Sequence, residues 1–246
     1  MKILLSVILL TLNLLPNTKS DSKEFLIVGH RGAAGHAPEN TLESIEIALE
    51  LGSNAIEIDL RQTSDGIPVA LHDADVNRTT DGRGNISNFS FDDLQKLDAG
   101  SWFGDRFSGS KVPSLEEIIK MMADTNYSNT SLLIIEFKGG LGEYKKIEEK
   151  TLELLEKNNF TNRVILKSFD PNQLEKIRTL DESIPLLYVY AVRIPWLSMI
   201  IDTGISFGSV FDVEAEYLQP HKLFLSESFI YKDGANEKQK GHRVGS

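Results

Sequence analysis

The chain has 246 residues, 41% of them hydrophobic, which is enough for one large domain with a substantial core. Its 36 acidic and 26 basic side chains leave a formal charge of −10, so no diffuse positive surface is available for a nucleic-acid backbone and any phosphate must be held locally. The absence of cysteine excludes disulfides, thiolate zinc sites and cysteine nucleophiles, and leaves oxygen and imidazole as metal ligands, a set that suits a hard cation.

Residues 1–20 read as a signal peptide: Met1-Lys2, an apolar run over 3–15, Pro16, then a polar stretch with Thr18 and Ser20 at suitable cleavage positions. The run is too short to span a bilayer comfortably, so no stable membrane span is expected after cleavage, and the mature chain is expected to be secreted or periplasmic. Six Asn-x-Ser/Thr sequons, starting at Asn77, Asn85, Asn88, Asn126, Asn129 and Asn159, become glycan acceptors only in a eukaryotic secretory pathway.

Beyond the leader, short apolar runs alternate with helical periodicity, the pattern of β/α units around a parallel sheet. Strands are predicted at 25–30, 55–60, 132–138, 164–169, 186–190 and, weakly, 205–211, with helices at 41–51, 114–124, 143–158 and 171–180. Ser114 with Glu117 forms a capping box, and Asp170 precedes Pro171 at a first helical position. Residues 73–111 have turn chemistry without a long period and read as an insertion above one sheet edge. The domain is expected to span 21–231, followed by a polar, structureless tail over 232–246.

Strict alternation in Ala55-Ile56-Glu57-Ile58-Asp59-Leu60 puts Ile56, Ile58 and Leu60 on one strand face and both carboxylates on the other. A two-residue hairpin at Asp65-Gly66 then pairs Asp59 with His72. The run Leu132-Leu133-Ile134-Ile135-Glu136-Phe137-Lys138 places Glu136 and Lys138 together at a strand end, and His30-Arg31-Gly32 follows the first strand. Each feature alone has a plain structural explanation, such as a solvated face or an exposed ion pair. Their joint placement at the carboxyl ends of parallel strands is where such folds build sites. Carboxylates gathered there repel by about 4 kcal/mol per pair at about 4 Å and an effective dielectric near 20, unless protonated or bridged by a cation. A divalent cation with two histidines and the cations Arg31 and Lys138 makes a site for cleaving a phosphate ester.

These residues are similar in order and spacing to the glycerophosphodiester phosphodiesterase family. The resemblance rests on His30-Arg31-Gly32, Pro38-Glu39-Asn40-Thr41, Glu57-Ile58-Asp59, Thr63-Ser64-Asp65-Gly66, Val69-Ala70-Leu71-His72-Asp73, Val112-Pro113-Ser114-Leu115-Glu116-Glu117 and Ile135-Glu136-Phe137-Lys138. It implies an α/β fold, a TIM (β/α)8 barrel of the PLC-like phosphodiesterase type, with an insertion after the second strand. It also implies hydrolysis of glycerophosphodiesters, such as glycerophosphocholine or glycerophosphoethanolamine, to glycerol 3-phosphate and an alcohol. Carried over, His30 and His72 become the acid/base pair, in either order. Glu57, Asp59 and Glu136 become ligands of one divalent cation, Ca²⁺ or Mg²⁺, and Arg31 and Lys138 line the phosphate pocket. Glu39 and Asn40 brace the loop and cap the helix after it, and Phe169 forms a pocket wall. The attacking oxygen is water or the substrate's own hydroxyl.

The resemblance breaks down toward the end of the chain. Members continue past a segment like 215–221 into strands with Trp-Thr-Val-Asn and Gly-Val-Asp-Gly signatures that do not occur in this sequence. The barrel is therefore expected to be truncated after about six units, with the edges of its first and sixth strands left to favour instability or self-association. The second expectation, from a different class, is a catalytically inactive truncated member that at most binds metal and phosphate. A third keeps the barrel and changes the substrate, as in sphingomyelinase D or phosphatidylinositol phospholipase C relatives; the stretch around His30 and the Pro38–Thr41 loop favour the glycerophosphodiesterase branch.

Overall fold

The computed structural model describes residues 26–124 and 131–190, and short strands at 192–193, 200–201, 217–220, 228–232 and 241–244. The expected leader and the strand at 205–211 lie outside the described residues.

In chain order the elements are β1 (Val28–His30), α1 (Leu42–Glu50), β2 (Ala55–Gln62), β3 (Pro68–Ala70), α2 (Phe91–Leu94), α3 (Leu115–Ala123), β4 (Leu132–Phe137), α4 (Ile147–Lys157), β5 (Val164–Ser168), α5 (Pro171–Leu180) and β6 (Leu186–Tyr190). The short strands β7 (Val192–Arg193), β8 (Ile200–Ile201), β9 (Tyr217–Pro220), β10 (Ser228–Lys232) and β11 (Gly241–Val244) follow. The strand order β1-β2-β4-β5-β6-β9 is parallel throughout, giving a curled, open six-stranded sheet of the (β/α)-barrel type. β3 is an extra strand, antiparallel to β2.

Alternation separates the sheet into two faces. Ile56, Ile58, Leu60, Leu133, Ile135, Val164 and Leu166 pack outward against Ile45, Ile118, Leu155 and Leu174 of the surrounding helices. Val28, Ala55, Ile134, Ile165, Leu187 and Val189 form an apolar plug on the inner face. Helix starts follow the expected chemistry: Ser114 and Glu117 make a reciprocal capping box on α3, and Asp170 caps α5 with Pro171 in its first turn. Thr41, not Asn40, caps α1 by accepting from Ser44 N, which corrects the expected cap by one residue. α1 lies so close to the turn after β1 that only glycine fits there. A Cβ on Gly32, whose φ is 74°, would come within 2.6 Å of the Ser44 carbonyl carbon.

The β2–β3 hairpin differs from expectation by one residue. Ser64, Asp65 and Gly66 form a three-residue loop closed by Thr63 N donating to Ile67 O at 3.0 Å, with Gly66 at φ 83°. Leu60 therefore pairs with Ala70, and Asp59 faces Leu71 rather than His72. A left-handed glycine suits the third position of such a loop as well as the second of a tighter turn, and the sequence does not distinguish them.

Val76, Ile86, Leu94 and Ala99 of the insertion after β3 form a separate core with Val69 of β3, Leu71 and Val112. Asp98 organises the insertion's far loop, accepting from Gly100 N, Ser101 N and Gly109 N at 2.8–2.9 Å. The 232–246 segment, expected to be structureless, contains β11, paired antiparallel with β10. The ladder supplies backbone partners that a polar composition does not forecast. β11 approaches β1, but no ladder joins them among the described residues.

A buried carboxylate cluster at the strand ends

Sheet register builds the site. Asp59 on β2, Glu136 on β4 and Lys167 on β5 are consecutive Cα partners, so three charged side chains form one rung across adjacent parallel strands. His30 on β1 and Glu57 on β2 pair in the rung below. Parallel partners share a face, and all of these lie on the inner face above the apolar plug.

Ligand oxygens of Glu57, Asp59 and Glu136 lie within 4.8 Å of one another, and all three residues are buried. Cations surround them. Lys167 Nζ is 2.8 Å from Glu57 Oε1 and 2.6 Å from Glu136 Oε2. Lys138 Nζ sits 3.0 Å from Asp59 Oδ1 and also contacts Glu136 Oε1. Arg31 Nε is 3.2 Å from Asp59 Oδ2, and Arg31 N donates to Glu57 Oε2 at 3.2 Å. Asn40 clamps Asp59 from both sides: Nδ2 donates to Oδ2 at 2.9 Å and Oδ1 accepts from Asp59 N at 3.1 Å. Arg31 and Asn40 both sit at positive φ, 57° and 60°, a conformation non-glycine residues adopt at some cost and which the surrounding site enforces.

Burial alone pushes the Asp59 carboxyl pKa up. Lys138, then Arg31, the Asn40 hydrogen bond and nearby His72 outweigh it and hold it well below the usual range. Glu136 behaves alike: burial raises it, Lys167 and Lys138 lower it further than that, and Asp59 opposes them. For Lys167, burial favours the neutral amine, but Glu57 and Glu136 prevail and push its pKa up. All three groups are thus ionised near neutrality.

His30 Nε2 is 3.8 Å from Glu57 Oε2. His72 reaches the cluster by another route than strand alternation: β3 ends at Ala70, and the chain bends. Arg61 Nε donates to His72 O at 2.9 Å, and His72 Nδ1 is 2.7 Å from Asp73 Oδ1. Arg78 then joins Asp73 to Glu39, with Nε on Asp73 Oδ2 at 2.7 Å and both terminal nitrogens on Glu39 at 2.8 Å. Glu39 also accepts from Arg31 NH1 at 2.9 Å. A continuous chain of polar contacts therefore links His72 through Asp73, Arg78 and Glu39 to Arg31.

All seven residues singled out in the sequence, His30, Arg31, Glu57, Asp59, His72, Glu136 and Lys138, converge here. Two contributors escaped sequence reasoning. Lys167 was legible as the inward partner of Ile165 in Val164-Ile165-Leu166-Lys167-Ser168; Arg78 had no signal, because its contacts are made only by the folded insertion. Phe169, the expected wall, is 40% exposed, with Lys138 Nζ 5.9 Å from its ring centre. A separate cleft of about 480 Å³ between the hairpin loop, α3 and α4 shares none of the cluster residues.

The donor set is oxygen alone, which suits a hard divalent cation. One further observation fits: among the described residues, Asp59 Oδ1 is a buried atom with no hydrogen bond of good geometry, and Lys138 Nζ lies 3.0 Å from it. A curled parallel sheet with such a centre at the carboxyl ends of its strands defines a (β/α)-barrel-type protein whose buried acidic cluster is consistent with a single divalent-cation site.

The chain belongs to the Glycerophosphoryl diester phosphodiesterase family, whose match covers residues 30–199. It is 38% identical over 173 residues to the glycerophosphodiester phosphodiesterase of Caldanaerobacter subterraneus, covering 70% of each chain. It is 36% identical over 183 residues to the glycerophosphodiester phosphodiesterase of Bacillus subtilis, covering 68% of this chain but 60% of that one, under two thirds of its length. Among solved structures it resembles a phosphodiesterase of Oleispira antarctica in complex with the product sn-glycerol-3-phosphate, with a TM-score of 0.66 and 29% identity over 81% of this chain and 76% of the other.

Proposed function

We propose that this protein hydrolyses glycerophosphodiesters, such as glycerophosphocholine and glycerophosphoethanolamine, to glycerol 3-phosphate and an alcohol. The observation that carries the reading is the cluster of Glu57, Asp59 and Glu136 at the strand ends, flanked by His30, His72, Arg31 and Lys138. Family membership and the likeness to a structure holding sn-glycerol-3-phosphate support the same substrate class.

Glu57, Asp59 and Glu136 would hold one Ca²⁺ or Mg²⁺, which supplies charge stabilisation at a nonbridging phosphoryl oxygen when bound. Arg31 and Lys138 bind the phosphate from the solvent side of the cluster; Arg31 is oriented for this by Glu39 and Asp59. One histidine takes a proton from the attacking oxygen and the other returns one to the leaving alkoxide. Asp73, fixed by Arg78, accepts from His72 Nδ1 when that nitrogen is protonated and so directs Nε2 toward the reacting atoms. We further propose that the chain is exported, supported by the apolar run over 3–15 and the small residues Thr18 and Ser20; amino-terminal sequencing of exported protein is expected to begin at Asp21.

The test is release of glycerol 3-phosphate from glycerophosphocholine by the purified chain with Ca²⁺, with Mg²⁺ and with chelator, beside His30→Ala. Cation-dependent release, lost in the variant, is the expected result. Folded protein that binds the cation and phosphate but releases nothing identifies a binding-only member of the family instead.

A further inference from the structure

We propose that Lys167 is a positioning residue of the cation site: its buried ammonium holds one oxygen of Glu57 and one of Glu136, turns their other oxygens toward Asp59, and limits how tightly the site binds a divalent cation. The proposal rests on the cation-site reading above and concerns a residue outside the set that reading employs.

The oxygens divide between two groups. Lys167 Nζ takes Glu57 Oε1 and Glu136 Oε2, at 2.8 and 2.6 Å. The oxygens it leaves, Glu57 Oε2 and Glu136 Oε1, are those that face Arg31 N and Lys138 Nζ, on the side where Asp59 Oδ1 lacks a hydrogen bond. Each glutamate is thereby held to present one oxygen, and a bidentate grip on a cation is blocked.

Exposure separates Lys167 from the other two cations. The side chains of Lys138 and Arg31 are 15% and 20% exposed and have a solvent side toward which to turn when a cation or a substrate phosphate arrives. Lys167 is 5% exposed and rises from a strand whose neighbours on both sides are paired, so it has nowhere to withdraw. In the absence of a metal the balance is three carboxylates against Lys167, Lys138 and Arg31. Lys138 and Arg31 would turn toward the substrate when a dication is held, whereas Lys167 would stay beside it as a fixed positive charge. Glu57 and Glu136, otherwise two uncompensated buried charges, keep their geometry with or without the metal.

Isothermal titration of CaCl₂ and of MgCl₂ into the wild-type chain, Lys167→Met and Lys167→Gln, with melting temperatures taken with and without each cation, tests the idea. Removing the fixed charge is expected to tighten binding by about tenfold or more, since a unit charge a few ångströms from a dication is weakly screened in a buried site. It is also expected to lower the melting temperature without cation, and cation is expected to restore it. Lys167→Gln keeps a donor to the glutamates and decides the outcome should the methionine variant be unfolded. Unchanged or weaker affinity in the folded variant overturns the proposal and leaves the cation site standing. Variants that fold in neither condition also overturn it, because the cation should replace the missing charge. A wild-type chain that binds neither cation removes the cation site itself, and this proposal with it.

Discussion

At the level of single residues, the site is a set of charges whose states are fixed by neighbours. His30→Ala and His72→Ala are each expected to lower the rate of glycerol 3-phosphate release by about 10²–10⁴, the usual worth of a positioned proton donor or acceptor, with cation affinity retained. Asn40 is a different case. It touches no reacting group but makes two hydrogen bonds to Asp59, which is buried. Asn40→Ala is expected to weaken cation binding in titration and to lower stability by about 1–3 kcal/mol, through the lost bonds and the positive φ that alanine tolerates poorly. Asp73 gives a pH signature. Arg78, against modest burial and with help from His72, lowers its carboxyl to about 2. A depressed carboxylate stabilises the fold fully above its unfolded value near 4, and that contribution fades as pH falls through about 2. Urea titrations of wild type and Asp73→Asn are expected to show a steeper loss of stability between pH 4 and pH 2 in the wild type; parallel curves would mean that the Arg78 bridge does not form in solution.

The elements carry their own instructions, and these are local enough to be read before folding. Ser114, followed by Glu117, starts α3; Asp170-Pro171 starts α5; alternation sets the faces of β2 and β4. Removal of the Ser114 hydroxyl breaks a reciprocal pair of bonds at the end of a helix whose Ile118, Ile119 and Met122 are fully buried. Ser114→Ala is therefore expected to cost about 1 kcal/mol, seen as a shift of the urea midpoint at constant slope. Glu148 shows how α4 and α5 are fixed to one another: it is 1% exposed and accepts from Gln173 Nε2 at 2.7 Å and Lys176 Nζ at 2.9 Å. Nothing in its sequence neighbourhood marks Glu148 as buried, because it falls in a run of charged residues that reads as a solvated face.

For the whole molecule, the open edge governs behaviour. Among the described residues β11 lies near β1 without a ladder between them, and an unpaired strand edge offers backbone donors and acceptors to another chain. Self-association is expected to grow with protein concentration in light scattering coupled to gel filtration. A monomer across the range tested argues that the edge is covered. No helix among the described residues is long and apolar enough to cross a membrane. Binding of Ca²⁺ or Mg²⁺ to the native state only is expected to raise the melting temperature in a concentration-dependent way.

The sequence by itself determined what depends on near neighbours: the alternation of strands and helices, the caps of α3 and α5, and the placement of Glu57, Asp59 and Glu136 on inward faces at strand ends. These follow from backbone periodicity and local hydrogen bonding; His30, Arg31 and His72 took their roles from the family resemblance, and their meeting at the cluster was not a matter of periodicity. Tertiary structure decided what depends on register and on distant chain. The hairpin loop has three residues rather than two, which moves Asp59 opposite Leu71, and only the bend after Ala70 returns His72 to the site. Lys167 became a partner of Glu57, 110 residues away, because β5 docks beside β4 in one register and not another. A charge on a strand is readable from sequence. The charge it will face is set by the packing of the sheet.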